Sequence, residues 1–141
     1  QEKLAPWMQP IFDNLELLIN NTSAKKGSKR DSYHELMERG MLVVEPLTYI
    51  RGRSIPQQHM IVDEAQNLTL HEMKTIVTRA GEGTKIVLTG DPNQIDNKDI
   101  NLSSNGLSML VERFKESPLA GHVRFTSVER SALAELAANV L

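Results

Sequence analysis

The 141-residue sequence contains no cysteine. That excludes a disulfide framework and any cysteine-ligated metal or redox site, and it fits a reducing cytosol. No apolar run approaches the roughly 18 residues of a membrane-spanning helix, and no signal-peptide pattern opens the chain. A global basic field is missing too. The formal net charge is −2 and the pI about 6.1, so only a local basic groove could serve nucleic acid. The four histidines, His34, His59, His71 and His122, show no H-x-x-x-H spacing and are not expected to hold a metal. The phosphate-loop pattern G-x-x-x-x-G-K-[ST] is absent as well. Gly81-Glu82-Gly83-Thr84-Lys85 imitates it, but Lys85 is followed by Ile86 and leads into an apolar run. It reads as a helix-to-strand turn.

What is present suits one domain over residues 1–141, since domains of about 100–150 residues are the commonest. Ala5–Asn20 places Trp7, Met8, Ile11, Phe12, Leu15, Leu18 and Ile19 on one helical face. Pro6 suits a first turn there, whereas Pro10 is expected to kink or delay the helix. The polar stretch Asn20–Asp31 reads as a solvated loop or hinge. Its basic cluster Lys25–Arg30 is a solvated loop first and a mobile nucleic-acid contact second. Asp31–Gly40 reads as a short helix capped by Gly40. Met41–Glu45 reads as a buried strand closed by Pro46, and Thr48–Ile55 as a connection to a strand at Met60–Val62. Thr69–Arg79 is the clearest helix, with a capping box at Thr69 and Glu72 and Gly81 as its stop. Lys85–Thr89 is a strand, Asn97–Ser104 a polar loop, and Asn105–Glu116 an amphipathic helix. Val123–Thr126 reads as a short strand, and Ser127 can cap a last helix through Leu133, Leu136 and Val140. Strands separated by helices imply an α/β fold with a mostly parallel sheet and helices on both faces. In such sheets ligands gather at the carboxyl ends of the strands.

Two constellations fall at those ends. His59–Leu68, HMIVDEAQNL, sets Asp63 and Glu64 directly after an apolar run. Taken alone, the pair is also what opens a helix, because acids stabilise the dipole at an N-terminus. An apolar strand ending in Asp-Glu is equally the Walker B pattern of nucleotide hydrolases, in which the first acid holds Mg²⁺ and the second activates water. Lys85–Gln94, KIVLTGDPNQ, ends a second apolar run in Gly90, Asp91 and Gln94. Gly-Asp-Pro-Asn is good turn chemistry by itself. In company with the acid pair, the Gln94 amide can donate to a γ-phosphate oxygen and accept from the attacking water. Arg51 and Arg53 flank a glycine ahead of the acid-bearing strand and either touch nucleic-acid phosphates or are surface charges. Arg130 follows the last strand at the head of a helix and can stabilise a transferring phosphoryl group, or be a helix-surface residue paired with Glu129 or Glu135.

Four strings, EKLAPWMQPIFDNLE, YIRGRSIPQQHMIVDEAQNLT, KIVLTGDPNQID and VERSALAELAANVL, together resemble the PhoH-like ATPases, bacterial relatives of superfamily-one RNA helicases. The resemblance covers Glu2–Leu141 and implies a RecA-like P-loop NTPase core with ATP and Mg²⁺ as its cofactors. It implies that Asp63 and Glu64 are the Walker B acids, with Asp91 beside the nucleotide. It also implies that Gln94 is the glutamine of the Gly-Asp-Pro-x-Gln motif and Arg130 the arginine of the closing segment. Some such proteins carry a nuclease domain of the PIN type, which nothing here resembles. The family's phosphate loop lies upstream of EKLAPWMQP, and the chain starts at Gln1 and ends inside a helical stretch. The sequence is therefore expected to be a piece of a longer protein, lacking the first strand and the phosphate loop and binding ATP poorly by itself.

The expected activity is ATP hydrolysis coupled to remodelling RNA or another nucleic acid, in the cytoplasm and away from membranes. A nucleotide-dependent regulatory or assembly module, acting through a homo-oligomeric ring, is the alternative. A third reading is an interaction domain whose acid pair is vestigial.

Overall fold

The computed structural model describes residues 5–22, 33–50, 52–126, 131–133, 136 and 140. It groups into two compact units, Gln1–Tyr49 and Ile50–Leu141.

The first unit holds helix α1 (Ala5–Thr22) and helix α2 (Tyr33–Glu38). Pro10 lies inside α1 and does not delay it. Its missing N–H removes one bond, to the Pro6 carbonyl, and the rest of the ladder continues. Met8, Ile11, Phe12, Leu15 and Ile19 are partly buried, as their spacing predicts, whereas Leu18 is left exposed. The Phe12 ring stacks on Tyr33 of α2 at 5.1 Å between centroids. Gly40, at φ +66°, ends α2 as expected. Left-handed backbone there lets the N–H groups of Met41 and Leu42 reach the Leu36 carbonyl at 2.9 and 3.1 Å.

Met41–Glu45 is not the buried strand its composition predicts. It forms no strand pairing, with Met41 and Val43 exposed, and leads into a 3-10 turn at Leu47–Ile50. Val123–Thr126 differs in the same way: Val123 and Phe125 are exposed and no strand forms. A strand exists only where a neighbour takes its N–H and C=O groups. Among the described residues, that neighbour is present for two strands only.

Those strands, β1 (His59–Val62) and β2 (Lys85–Leu88), pair in parallel with Val62 opposite Leu88. The connection between them contains helix α3 (Leu70–Val77), which makes a β-α-β unit. Further parallel contact precedes the sheet at Ile55 and Ala80. Helix α3 begins with the expected reciprocal capping box. The Thr69 hydroxyl accepts the Glu72 N–H at 3.3 Å, and the Glu72 carboxylate accepts the Thr69 N–H at 2.9 Å. It stops short of Gly81, with Thr78 as its C-cap.

Helix α4 (Gly106–Phe114) starts from Asn105, a buried N-cap whose side chain accepts the Ser108 N–H at 2.9 Å. The Gly106 N–H reaches the Leu68 carbonyl at 2.7 Å, so α4 is tied to the turn that opens α3. Ile50, Ile55, Val62, Ala65, Met73 and Ile76 form the buried core of the second unit. Ile61 and Val87, on the opposite sheet face, remain exposed. The small parallel α/β arrangement agrees with the sequence. Within this unit, however, apolar burial falls on one face of the pair of strands. The last helical stretch is described only at Ala132, Leu133, Leu136 and Val140, and Ser127 lies outside the described residues. No helix of the described residues is long and apolar enough to cross a membrane.

Candidate active site

The site begins where the parallel ladder outlasts the two strands. The Thr89 N–H donates to the Val62 carbonyl at 3.0 Å, and the Ala65 N–H returns to the Thr89 carbonyl at 2.9 Å. These bonds hold Asp63 and Thr89 side by side at the carboxyl end of the sheet. The Thr89 hydroxyl donates to Asp63 Oδ1 at 2.7 Å, and the Glu64 N–H donates to the same oxygen at 3.0 Å. Oδ2 takes no hydrogen bond among the described residues.

Glu64 adopts φ 53° and ψ 36°, the left-handed region. There a residue with a Cβ is strained by roughly 1–2 kcal/mol. The reason is local. The chain must leave an extended strand and enter the 3-10 turn Ala65–Asn67 at once, while Ala65 N–H stays on the ladder. The bend turns the Glu64 carboxylate back over the turn.

It meets Gln66 there. This side chain is fully buried, and its amide makes three hydrogen bonds that use both Nε2 hydrogens and one lone pair of Oε1. Nε2 donates to Glu64 Oε2 at 2.6 Å and to the Gln94 carbonyl at 2.9 Å, while Oε1 accepts the Asp91 N–H at 3.2 Å. A buried amide without partners would cost several kcal/mol, roughly 2–7 by transfer measurements. The turn over residues 91–94 is therefore pinned where it satisfies Gln66. Within that turn the Gln94 N–H closes on the Asp91 carbonyl at 2.9 Å, and Asp91 Oδ1 accepts the Asn93 N–H at 2.9 Å. Gln94 Nε2 donates to Asp91 Oδ2 at 2.6 Å. Asn67 clamps the next stretch, its Oδ1 accepting the N–H of Asp96 at 2.7 Å and of Asn97 at 3.3 Å.

Asp63, Glu64, Asp91 and Gln94 are thus gathered at one edge, as their positions in the sequence predict. Arg53 is exposed and precedes β1 at its amino end, away along the chain from the acids that follow the strand. Arg51 and Arg130 lie outside the described residues.

Sequence reasoning passed over Gln66, Thr89 and Asn67. The available signal was a strongly polar Gln-Asn pair set between Ala65 and Leu68, which must find internal partners if buried. Gly90 also changes meaning. Turn chemistry accounts for the Pro and Asn after it, but the glycine is there for space: a Cβ would overlap Gln66 Oε1 and lie 3.0 Å from Leu107 Cδ2.

Chemically, the edge offers three carboxylates interleaved with amide and hydroxyl donors. Among the described residues no three acids or histidines converge as direct ligands of one metal ion. One Asp63 oxygen left without a donor fits a metal held through water better than a cage of protein ligands.

Known proteins place the chain in a family. The family model for PhoH-like protein matches residues 1–141. The chain is 58% identical to Protein PhoH2 of Bacillus subtilis, over 100% of its own length and 31% of that protein. It is 39% identical to Protein PhoH2 of Mycolicibacterium smegmatis, over 99% of its length and 30% of that protein. To the PhoH-like protein of Bacillus subtilis it is 40% identical over 68% of its length and 27% of that protein. It spans less than a third of the length of each of these relatives. With the family model matched from end to end and relatives this similar, the chain belongs to the PhoH-like protein family.

Proposed function

We propose that this chain supplies the hydrolytic part of an ATP site in a RecA-like P-loop core, and that the whole protein couples ATP hydrolysis to remodelling RNA or another nucleic acid. The observation that carries this is the joining of Asp63-Glu64 to Asp91–Gln94 through Gln66 at the carboxyl end of a parallel sheet. That is where α/β folds bind ligands.

Asp63 would hold Mg²⁺ through water with its free Oδ2. The ion, when bound, offsets charge on the phosphates. Glu64 Oε2 is occupied by Gln66, whereas Oε1 takes no hydrogen bond among the described residues. That oxygen is the one to accept a proton from the attacking water. Gln94 can exchange its bond to Asp91 for one to phosphate oxygen or water, which brings Asp91 to the nucleotide side. Arg130 would add positive charge to the transferring phosphoryl group, from its own subunit or from a neighbour in a ring. Arg51 and Arg53 would meet nucleic-acid phosphates. The phosphate-binding loop, and a PIN-type nuclease where there is one, would come from parts of the whole protein other than these 141 residues, and the proposed location is the cytoplasm.

The test is ATP turnover by the full-length protein, with and without RNA. Glu64→Gln keeps the shape and the acceptor for Gln66 but removes the base, and should lower kcat by about 100-fold or more. Unchanged turnover in that variant would mean the acid pair has no catalytic role. ATP hydrolysis indifferent to RNA would remove the coupling.

A further inference from the structure

We propose that Gln66 is a positioning residue which sets the Glu64 carboxylate and the 91–94 turn as one unit. The proposal rests on the reading of Glu64 and Gln94 given above and adds how the two are kept in step.

The contacts are asymmetric in a useful way. Glu64 and Gln94 sit on separate connections, one after β1 and one after β2. Both N–H bonds of one buried amide run between them, to Glu64 Oε2 and to the Gln94 carbonyl. The third bond, from the Asp91 N–H to Oε1, fixes which way round the amide sits. An amide rotated by 180° would set its oxygen against a carboxylate and a carbonyl, so one orientation alone satisfies the cluster.

Two further features are built around this amide. Gly90 leaves the space it occupies, and Glu64 accepts left-handed backbone that brings its carboxylate into reach. Displacing the 91–94 turn therefore withdraws a partner from Gln66. Gln66 in turn holds the one described hydrogen bond to the Glu64 carboxylate. The geometry ties the orientation of Glu64 to whether the turn is in place.

Three variants in the full-length protein test this. Gln66→Met keeps length and apolar bulk but makes none of the three bonds. It should lower kcat by about 10- to 100-fold while KM for ATP stays within about 3-fold. Gln66→Glu sets a second carboxyl against Glu64. The buried like charge favours its protonated form, which again has a donor and an acceptor. Its kcat relative to wild type should therefore rise as pH falls from 8.5 to 6, and Gln66→Met should show no such recovery. Glu64→Ala, at an exposed position, gives a readout independent of turnover. It should speed hydrogen exchange at the Asp91 amide severalfold, because its effect travels through Gln66.

Wild-type kcat in Gln66→Met, a loss confined to KM, or a Gln66→Glu deficit independent of pH overturns the proposal. So does unchanged Asp91 exchange in Glu64→Ala. If the wild-type protein hydrolyses no ATP, the reading of the site fails instead, and the exchange measurement alone decides whether Gln66 couples the two segments. A folded Gln66→Met, shown by a cooperative thermal transition, separates positioning from collapse.

Discussion

Replacing Asn105 tests whether the helix that backs the site is held by its cap or by the whole side chain. Asn105 is fully buried. Its Oδ1 accepts the Ser108 N–H at 2.9 Å, which is the capping bond of α4. Its Nδ2 lies 3.0 Å from the Asn101 carbonyl, 2.8 Å from the Leu102 carbonyl and 3.0 Å from the Ser108 hydroxyl. Losing the cap costs about 1 kcal/mol, and the two bonds to carbonyls about 1 kcal/mol each. Asn105→Ala should therefore destabilise the protein by about 3 kcal/mol.

Asn105→Asp is the sharper probe. At an ordinary N-cap, aspartate is as good as asparagine and suits the helix dipole. Here the replacement turns a donor into an anionic oxygen facing two carbonyl oxygens. The expected loss is about 2 kcal/mol or more, close to that of alanine, from two broken bonds and added repulsion. Urea unfolding of the full-length protein followed by circular dichroism, with constant m, measures both variants. If Asn105→Asp matches wild type within about 0.5 kcal/mol, only the cap matters and the account of Nδ2 is wrong.

Two further outcomes follow from packing. Gly90→Ala should lower ATP turnover and cost about 1–3 kcal/mol, since the added methyl displaces either Gln66 or the 91–94 turn; a turnover assay beside urea unfolding reads both. Met73→Ala empties a fully buried position in α3 and should cost about 2–5 kcal/mol in the same unfolding assay.

Much of the second unit was legible because its signals are local. The capping box needs only Thr69 and Glu72 three positions apart, and it forms reciprocally in the structure. Asn105 caps α4 for the same kind of reason. The apolar runs before Asp63 and after Thr84 became strands that pair with each other, which carried the acid pair and the Gly-Asp-Pro-Asn-Gln turn to one edge. Met41–Glu45 and Val123–Thr126 have strand composition too, and they form none. Composition records a preference, while a strand requires a partner that other parts of the chain must bring.

The candidate site divides along the same line. Asp63, Glu64, Asp91 and Gln94 could be picked out as candidates because each follows an apolar run, although alone the acid pair also read as a helix opening and the second set as a turn. Gln66 was silent. Its role depends on Asp91 and Gln94, which the chain brings back only after α3 and β2 have formed. Gly90 likewise read as turn chemistry until Gln66 stood beside it. The residue types and their order thus determined which polar groups follow the two apolar runs that became paired strands. Only the tertiary structure decided which amide joins them, because hydrogen bonding at about 3 Å is set by three-dimensional approach and not by spacing along the chain.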